Sequence, residues 1–271
     1  MGREGNVEIF QDTERLCRTD KKLVKAVKKS NSRQYVKCEN EPVKIQSIHR
    51  YSQPARIIVS KKRSLEAAAA YRGERICVHN FASALNPGGG VTHGASAQEE
   101  AICRCSTLYC NISVPDIVNK FHYRHRQLMR LKEMNVLYND DCIFTPGVIA
   151  FKSDTSVPQL LAEDSWNQVD VITCAAPNLR EYQISDEELL HIHEKRVGRI
   201  CDIAVSENEE VLILGAFGCG AFRNSPYVVA EAMARVTEKY KFDFITIEFA
   251  VYCSPADGKN FEVFYERLGD R

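Results

Sequence analysis

The chain has 271 residues and carries equal numbers of basic and acidic side chains, 36 of each, so its formal net charge is zero. Its hydrophobic content of 44% and charged content of 27% are typical of a globular protein and exclude a disordered chain. No apolar run reaches the roughly 18 residues that a transmembrane helix needs, and the first residues lack the apolar segment of a signal peptide. We therefore expect a soluble, intracellular, cytoplasmic protein.

The charge is unevenly distributed along the chain. Residues 1–64 carry 16 basic and 7 acidic side chains, and the rest of the chain has the opposite excess. A lysine-rich, solvated helix face accounts for the basic excess, and the alternative is a positive surface that attracts a polyanionic partner.

The eleven cysteines are scattered and include no Cys-x-x-Cys pair. We expect reduced thiols that pack as small apolar side chains, without disulfides and without a zinc site.

The predicted elements alternate between helix and strand after an N-terminal helix that runs to about residue 34. The strands are predicted at 55–60, 75–82, 147–151, 170–176, 211–216 and 242–252. The further helices are predicted at 64–73, 97–110, 115–134, 185–206, 224–240 and 259–268, with Ser225 as the N-cap and Pro226 as the first residue of the 224–240 helix. This alternation predicts α/β layers around a central sheet. We expect an N-terminal helical layer over residues 1–50, packed on a core domain over residues 51–271.

A glycine-rich loop follows the strand at 75–82. Glycines let a ligand approach the main chain, and N–H groups exposed in such a loop can bind phosphate oxygens. A plain turn is the alternative for Gly88–Gly90 alone, because neither the P-loop nor the dinucleotide spacing is present.

Two carboxylates open the helix after this loop. Ser96 and Glu99 fit a capping box, which leaves Glu100 without a structural role. Two carboxylates beside a phosphate-binding loop predict a functional site. A helix N-terminus favours the charged form of a carboxylate, so burial or a ligand must oppose it if one of them is a general acid.

A second glycine loop, at 214–226, also follows a buried strand and precedes a capped helix. This geometry brings backbone N–H groups and a helix N-terminus together, as an anion site requires. The two loops predict two walls around one diphosphate. Phe217 and Phe222 flank the second group of glycines, and each could belong to the core or pack on a sugar or base.

Three glycines, seven further residues and then Gln-Glu-Glu resemble the signature of the poly(ADP-ribose) glycohydrolases. The segments NFASALNPGGG, FTPGVIAFKSD, ITCAAPN, ILGAFGCGAFRNSP and FAVY are similar to the compact, bacterial-type branch of that family. The resemblance extends from about residue 10 to 265.

The resemblance implies a macrodomain, which is a three-layer α/β/α fold with a central mixed sheet and an ADP-ribose crevice at strand C-termini. It implies exo-type hydrolysis of ribose–ribose O-glycosidic bonds, because the large accessory domain of the animal enzymes is missing. The substrate would be poly(ADP-ribose) or ADP-ribosylated protein and the product ADP-ribose. No cofactor, metal or membrane partner is expected. The alternatives are a mono-ADP-ribosyl hydrolase, a non-catalytic ADP-ribose reader and an unrelated phosphate-binding α/β enzyme.

The resemblance also assigns roles to individual residues. Glu100 would be the catalytic acid, Glu99 would hold a ribose hydroxyl, and Phe249 or Val251 would contact adenine. Asn86 and Gln98 would bind near the distal ribose, against which Phe222 would pack. The diphosphate would lie between the two loops, against Gly88, Gly89, Gly90, Gly218, Cys219, Gly220 and Ala221.

Two further segments are predicted to lie at the surface or beside the site. We interpret His191 and His193 as surface or boundary residues, because their spacing does not place them on one helix face. The basic and aromatic stretch at 121–130 is expected to be a helix that flanks the site.

Overall fold

A seven-stranded mixed sheet forms the centre of the computed structural model, which describes residues 2–45, 48–253 and 257–269. The strands are β1 Tyr35–Lys37, β2 Arg56–Ser60, β3 Ile76–Phe81, β4 Cys142–Ala150, β5 Asn167–Cys174, β6 Val211–Leu214 and β7 Thr246–Ala250. Their order across the sheet is β1-β4-β5-β3-β6-β7-β2. β4 is antiparallel to both β1 and β5, and the other neighbouring strands pair in parallel.

Helices surround this sheet. They are α1 Arg3–Thr19, α2 Lys21–Asn31, α3 Ser64–Ala68, α4 Gln98–Cys105, α5 Leu108–Ile112, α6 Pro115–Ile117, α7 Arg124–Arg130, α8 Asp186–Ser206, α9 Pro226–Lys239 and α10 Lys259–Leu268. A π-helical segment, Val118–Tyr123, joins α6 to α7. No helix in the described part of the chain is both long and apolar enough to cross a membrane.

Alternating side chains of the strands fill two separate cores. On β3, Cys77 packs with residues of α8, α9 and α10, whereas Ile76 and Val78 pack with residues of α1, α3 and α4. Because successive side chains of a strand point to opposite faces, these two cores lie on opposite faces of the sheet. The predicted three-layer α/β/α fold with a mixed sheet is confirmed.

The N-terminal segment differs from its prediction in two ways. The single helix predicted up to residue 34 is divided at Asp20, whose carboxylate accepts hydrogen bonds from the backbone N–H groups of Lys22 and Leu23 and so caps α2. β1 was not predicted, and it pairs with the edge of β4. The segment 1–50 thus contributes a strand as well as helices, and the division into 1–50 and 51–271 stays a prediction.

Several boundaries in the middle of the chain also differ. The strand predicted at 147–151 begins at Cys142, because Gly147 (φ +69°) forms an irregularity within β4 instead of starting it. The helix predicted at 97–110 is divided at Ser106 into α4 and α5. The helix predicted at 115–134 consists of α6, the π-helical segment and α7. Ser225 lies at the N-cap of α9 and Pro226 at its first position, but the Ser225 side chain makes no capping hydrogen bond.

The parallel strands at the centre of the sheet position the loops of interest. β3, β6 and β7 are neighbours and run in the same direction, so the segments after Phe81, Leu214 and Ala250 leave the same edge of the sheet. That edge is where ligands bind in open α/β sheets.

Candidate active site

A cavity of about 1080 Å³ opens at the C-terminal ends of β3, β6 and β7. Both glycine loops line it, and most of the predicted site residues meet there. The lining includes Asn86, Gly89, Gly90, Gln98, Glu99, Glu100, Gly218, Gly220, Ala221 and Phe222, whereas Gly88 and Cys219 are not part of it.

Glycine is required at the first loop because the loop lies directly against other groups. Gly88 and Gly89 adopt positive φ angles of +68° and +59°. A Cβ atom on Gly88 would lie 2.7 Å from the ring of Tyr109, and one on Gly89 would collide with Oε1 of Glu100. The triple glycine thus allows the backbone to reach the carboxylates that follow it.

The N–H groups of the first loop point toward protein acceptors. Gly89 N donates to the carbonyl of Asn86 at 3.0 Å, and Gly90 N donates to Oε1 of Glu100 at 2.9 Å. The N–H of Gly88 is directed to Glu99. In this structure the first loop holds the two carboxylates, and the prediction that its glycines bind a diphosphate stays a prediction.

Glu99 is buried and accepts hydrogen bonds from β3 and from the loop that follows it. Its Oε2 accepts a hydrogen bond from Ser83 N at 2.7 Å, and its Oε1 accepts one from Nδ2 of Asn80 at 3.3 Å. The predicted capping box of Ser96 and Glu99 is wrong, since the N-cap of α4 is Ala97. Glu99 instead accepts a hydrogen bond from Ser83 N, which lies in the loop that follows β3.

Glu100 lines the cavity, and one oxygen of its carboxyl has no hydrogen-bond partner in the described part of the chain. Its Oε1 is held by Gly90 N, while its buried Oε2 has no hydrogen-bond partner within the described residues. A carboxyl that is fixed through one oxygen and free at the other can act on a bound ligand.

Burial dominates the electrostatics of the carboxylate pair. Desolvation and the neighbouring Glu100 raise the pKa of Glu99 to about 8, against the opposing hydrogen bonds from Ser83, Asn80 and Gly88. The carboxyl of Glu99 therefore keeps its proton at neutral pH. Burial of Glu99 thus opposes the helix N-terminus, which favours the charged form of a carboxylate.

Gln98 connects three elements. Its Nε2 donates to Ser64 Oγ at 2.9 Å and to the carbonyl of His79 at 2.7 Å, and its Oε1 accepts from Phe81 N at 2.8 Å. Both donors are used, so only the remaining lone pair of Oε1 is left for the predicted ribose contact.

The second loop has unpaired N–H groups. The amides of Gly218, Gly220 and Ala221 have no acceptor among the residues that the structure describes, whereas Cys219 N donates to the carbonyl of Ala216 at 3.1 Å. Burial raises the pKa of the Cys219 thiol, so this residue is not an activated nucleophile. The amides that could bind a diphosphate therefore lie mainly in this loop.

Phe222 lies at the cavity, half-buried, as predicted. Its ring centroid is 6.5 Å from that of Tyr138, and the guanidinium of Arg180 lies 5.8 Å from it. Phe217 is fully buried and belongs to the core.

Two predictions on individual residues are wrong. Phe249 cannot contact adenine, because it is fully buried and packs on Phe264, whereas Val251 does line the cavity. His193 is not a surface or boundary residue; it is fully buried beneath the second loop, where it contacts Asn224.

The cavity includes residues that sequence reasoning missed. Examples are Asn6, Arg63, Arg104, Asp154 and Tyr252. Most come from segments distant from either glycine loop, so no local motif identifies them. Arg104 could have been found, because it lies one turn after Glu100 on the same helix. Across the described ranges, no group of three or more His, Cys, Asp or Glu residues is arranged to hold a metal ion.

Comparison with known proteins identifies relatives of this fold and site. The family model described as microbial-type PARG, catalytic domain, matches residues 6–153. No curated protein matches the chain.

The solved structures of two bacterial proteins are similar over nearly the whole chain. A poly(ADP-ribose) glycohydrolase from Thermomonospora curvata is 27% identical with a TM-score of 0.85, and the match covers 98% of this chain and 100% of that one. A second structure of it, bound to the inhibitor ADP-HPD, is 27% identical with a TM-score of 0.83 over the same shares of the two chains. Poly(ADP-ribose) glycohydrolase from Deinococcus radiodurans, in complex with ADP-ribose, is 26% identical with a TM-score of 0.77 over 89% of this chain and 96% of that one. The chain therefore belongs to the family of microbial-type PARG catalytic domains.

Proposed function

We propose that this protein is a poly(ADP-ribose) glycohydrolase that releases ADP-ribose from polymer ends by hydrolysing ribose–ribose O-glycosidic bonds. The observation that carries the proposal is Glu100, which lines the cavity, with its Oε1 held by the triple-glycine loop and its Oε2 without a hydrogen-bond partner among the described residues. Membership in the family and the similarity to proteins solved with ADP-ribose and ADP-HPD support it.

Binding would use the second loop and the aromatic side chain beside it. The unpaired amides of Gly218, Gly220 and Ala221 are donors for the diphosphate. Phe222 offers an apolar face for the distal ribose. Asn86 is exposed at the edge of the cavity, where its side chain could reach a sugar hydroxyl.

The reaction would proceed by general acid–base catalysis. Cleavage of a glycosidic bond passes through an oxocarbenium-like state. Glu100 Oε2 would donate its proton to the departing ribosyl oxygen and then accept a proton from the attacking water. The diphosphate of the ligand, held nearby, would stabilise the positive charge on the sugar. Glu99 would hold a ribose hydroxyl, and its raised pKa would keep its own carboxyl uncharged beside Glu100.

The size of the cavity supports exo cleavage. Its volume of about 1080 Å³ lies just above the roughly 300–1,000 Å³ of pockets that enclose a single small ligand. One ADP-ribose unit at the end of a polymer, or on a modified protein, would therefore fill it.

The deciding experiment is release of ADP-ribose from automodified polymer by the wild type and by Glu100→Gln. We expect the variant to lose about 10²–10⁴-fold in kcat while it keeps its affinity for ADP-ribose. Glu163→Gln, an exposed carboxylate distant from the cavity, is the matched control and should retain full activity.

Four outcomes would contradict the proposal. A wild type that binds ADP-ribose but releases none would be a reader. Equal activity of Glu100→Gln would remove Glu100 as the acid. Release from mono-ADP-ribosylated substrates alone would make the protein a mono-ADP-ribosyl hydrolase, and oligomeric products would exclude the exo mode.

A further inference from the structure

Helix α1 lies against the segment that follows the triple glycine. Asn6 is 7% exposed and lines the cavity, and its Nδ2 donates to the carbonyl of Gly94 at 2.9 Å. Gly94 has a φ of +73°, and a Cβ atom there would collide with the carbonyl oxygen of Arg3. The first turns of α1 are thus in direct contact with the catalytic loop.

A second contact from α1 reaches the same segment through α4. Thr13 Oγ1 donates to the carbonyl of Arg104 at 2.5 Å, and the guanidinium of Arg104 donates to the carbonyl of Ala95. Both Thr13 and Arg104 are buried. Two side chains of α1 therefore fix adjacent peptides, those of Gly94 and Ala95, one directly and the other through Arg104.

These peptides determine the position of Gly90. Ala95 N and His93 N both donate to the carbonyl of Gly90, at 3.1 and 3.0 Å. The N–H of Gly90 in turn donates to Oε1 of Glu100 at 2.9 Å. Hydrogen bonds thus connect Asn6 to the carboxyl of Glu100 through the loop that joins β3 to α4.

We propose that Asn6, in the first turn of α1, is a positioning residue for Glu100. The amide of Asn6 holds the segment Gly90–Ala95 so that Gly90 N fixes Oε1 of the acid and leaves Oε2 without a protein partner among the described residues. This inference rests on the proposed function, and it assigns a mechanistic role to the N-terminal layer, which was expected only to pack on the core.

The test removes the donor and compares two variants of α1. Asn6→Ala, and the isosteric Asn6→Asp, which cannot donate in its charged form, should lower kcat about tenfold, because small misplacements of a reacting group are costly. The KM for polymer and the Kd for ADP-ribose should change less than twofold.

The matched control is Asp12→Asn on the same helix. Asp12 binds Nζ of Lys152 at 2.8 Å and makes no contact with the loop. Asp12→Asn should loosen α1 and lower the melting temperature while kcat stays at the wild-type value. A kcat that falls in Asp12→Asn in proportion to the lost stability would overturn the positioning role.

A readout independent of turnover separates this inference from the proposed function. The backbone amide proton of Gly90, bonded to a carboxylate, should shift upfield in the NMR spectrum of Asn6→Ala and stay in place in Asp12→Asn. An unchanged Gly90 resonance and an unchanged kcat in Asn6→Ala would refute the positioning role even if Glu100→Gln is inactive. A shifted resonance supports it even if the wild type proves to be a reader.

Discussion

At the scale of single residues, the contact between Gly89 and Glu100 explains why bare backbone precedes the carboxylates. Gly89 has a φ of +59°, and any Cβ atom there would occupy the position of Glu100 Oε1. The loop therefore holds Glu100 in place. Gly90 N donates to its carboxyl, and the absence of a side chain on Gly89 leaves room for it.

Gly89→Ala should reduce kcat by at least about 100-fold, because the added methyl group displaces the carboxyl from Gly90 N and the positive φ adds strain. The measurement is ADP-ribose release at saturating polymer. Gly73→Ala is the matched control, since Gly73 also has a positive φ, +103°, but has no atom near its Cβ position. If both variants lose the same activity, backbone strain alone explains the loss.

The sequence predicts Glu100 as the acid, but it does not predict which way the N–H groups of the first glycine loop point. The spacing of Gly88–Gly90 and Glu100 identifies the site, and burial supports it. The expectation that these amides bind phosphate stays a prediction, because a glycine-rich pattern does not specify whether its donors face a ligand or the protein. Gly90 N faces Glu100 because α1 and α4 hold the segment up to Ala95.

At the scale of elements, the buried side chain of Asn224 holds the second glycine loop in place through hydrogen bonds. Asn224 Nδ2 donates to the carbonyls of Pro177 and Phe222 at 2.7 and 3.2 Å, and Asn224 N donates to the carbonyl of Gly218 at 3.0 Å. His193 Nε2 on α8 lies 2.7 Å from Asn224 Oδ1. Since Asn224 Nδ2 donates to both carbonyls, His193 must supply the proton from Nε2.

Asn224→Ala should therefore weaken ADP-ribose binding by about tenfold or more, because the loop that carries the free amides loses its support. Calorimetric titration with ADP-ribose is the measurement. Val229→Ala, a buried change on α9 that leaves the loop intact, controls for the general loss of stability. Equal affinities of the two variants would show that the loop does not depend on Asn224.

The elements themselves were largely predictable because most follow clear apolar patterns. β3, β5, β6 and α8 lie within a few residues of their predicted positions. β1 was missed because its three residues form a strand only through pairing with β4. The start of β4 was missed because Pro146 and Gly147 resemble a strand boundary, whereas the sheet continues through them with an irregular register.

At the scale of the whole molecule, buried ionisable groups at both edges of the sheet determine how stability depends on pH. Glu209 precedes β6, at the edge opposite the cavity. Burial and the neighbouring carboxyl of Asp170 raise the pKa of Glu209 to about 9, although Arg75 opposes this. Glu99, whose pKa is about 8, lies at the cavity edge.

Four buried histidines among the described residues have the opposite effect. Burial lowers the pKa of His79 to about 3 and those of His122 and His193 to about 4, from an ordinary value of 6.5, and it also lowers the pKa of His125. The folded chain keeps these rings neutral where the unfolded chain protonates them. Stability is therefore lost as the pH falls below about 6.5.

The two glutamates reduce stability on the alkaline side. Between their unfolded pKa of 4.5 and about 8, the folded chain binds protons at Glu99 and Glu209 that the unfolded chain has released. The free energy of unfolding therefore falls as pH rises, by about 1.4 kcal/mol per pH unit for each group. Below about pH 6.5 the four histidines outweigh the two glutamates, so stability should be greatest near pH 6.5.

Glu209→Gln should remove about half of the alkaline decline without affecting activity, because the substituted amide cannot ionise and lies at the edge opposite the cavity. Glu99→Gln should remove a similar share but impair the site, since Glu99 lines the cavity beside Glu100. Urea unfolding at pH 5.5, 6.5 and 8 measures both effects. If the decline between pH 6.5 and 8 is the same in Glu209→Gln as in the wild type, Glu209 is already ionised in the folded protein. If instead both variants gain stability at pH 8 and only Glu99→Gln loses activity, then the buried carboxyl of Glu99 lowers stability at the cavity and is kept because the site requires it.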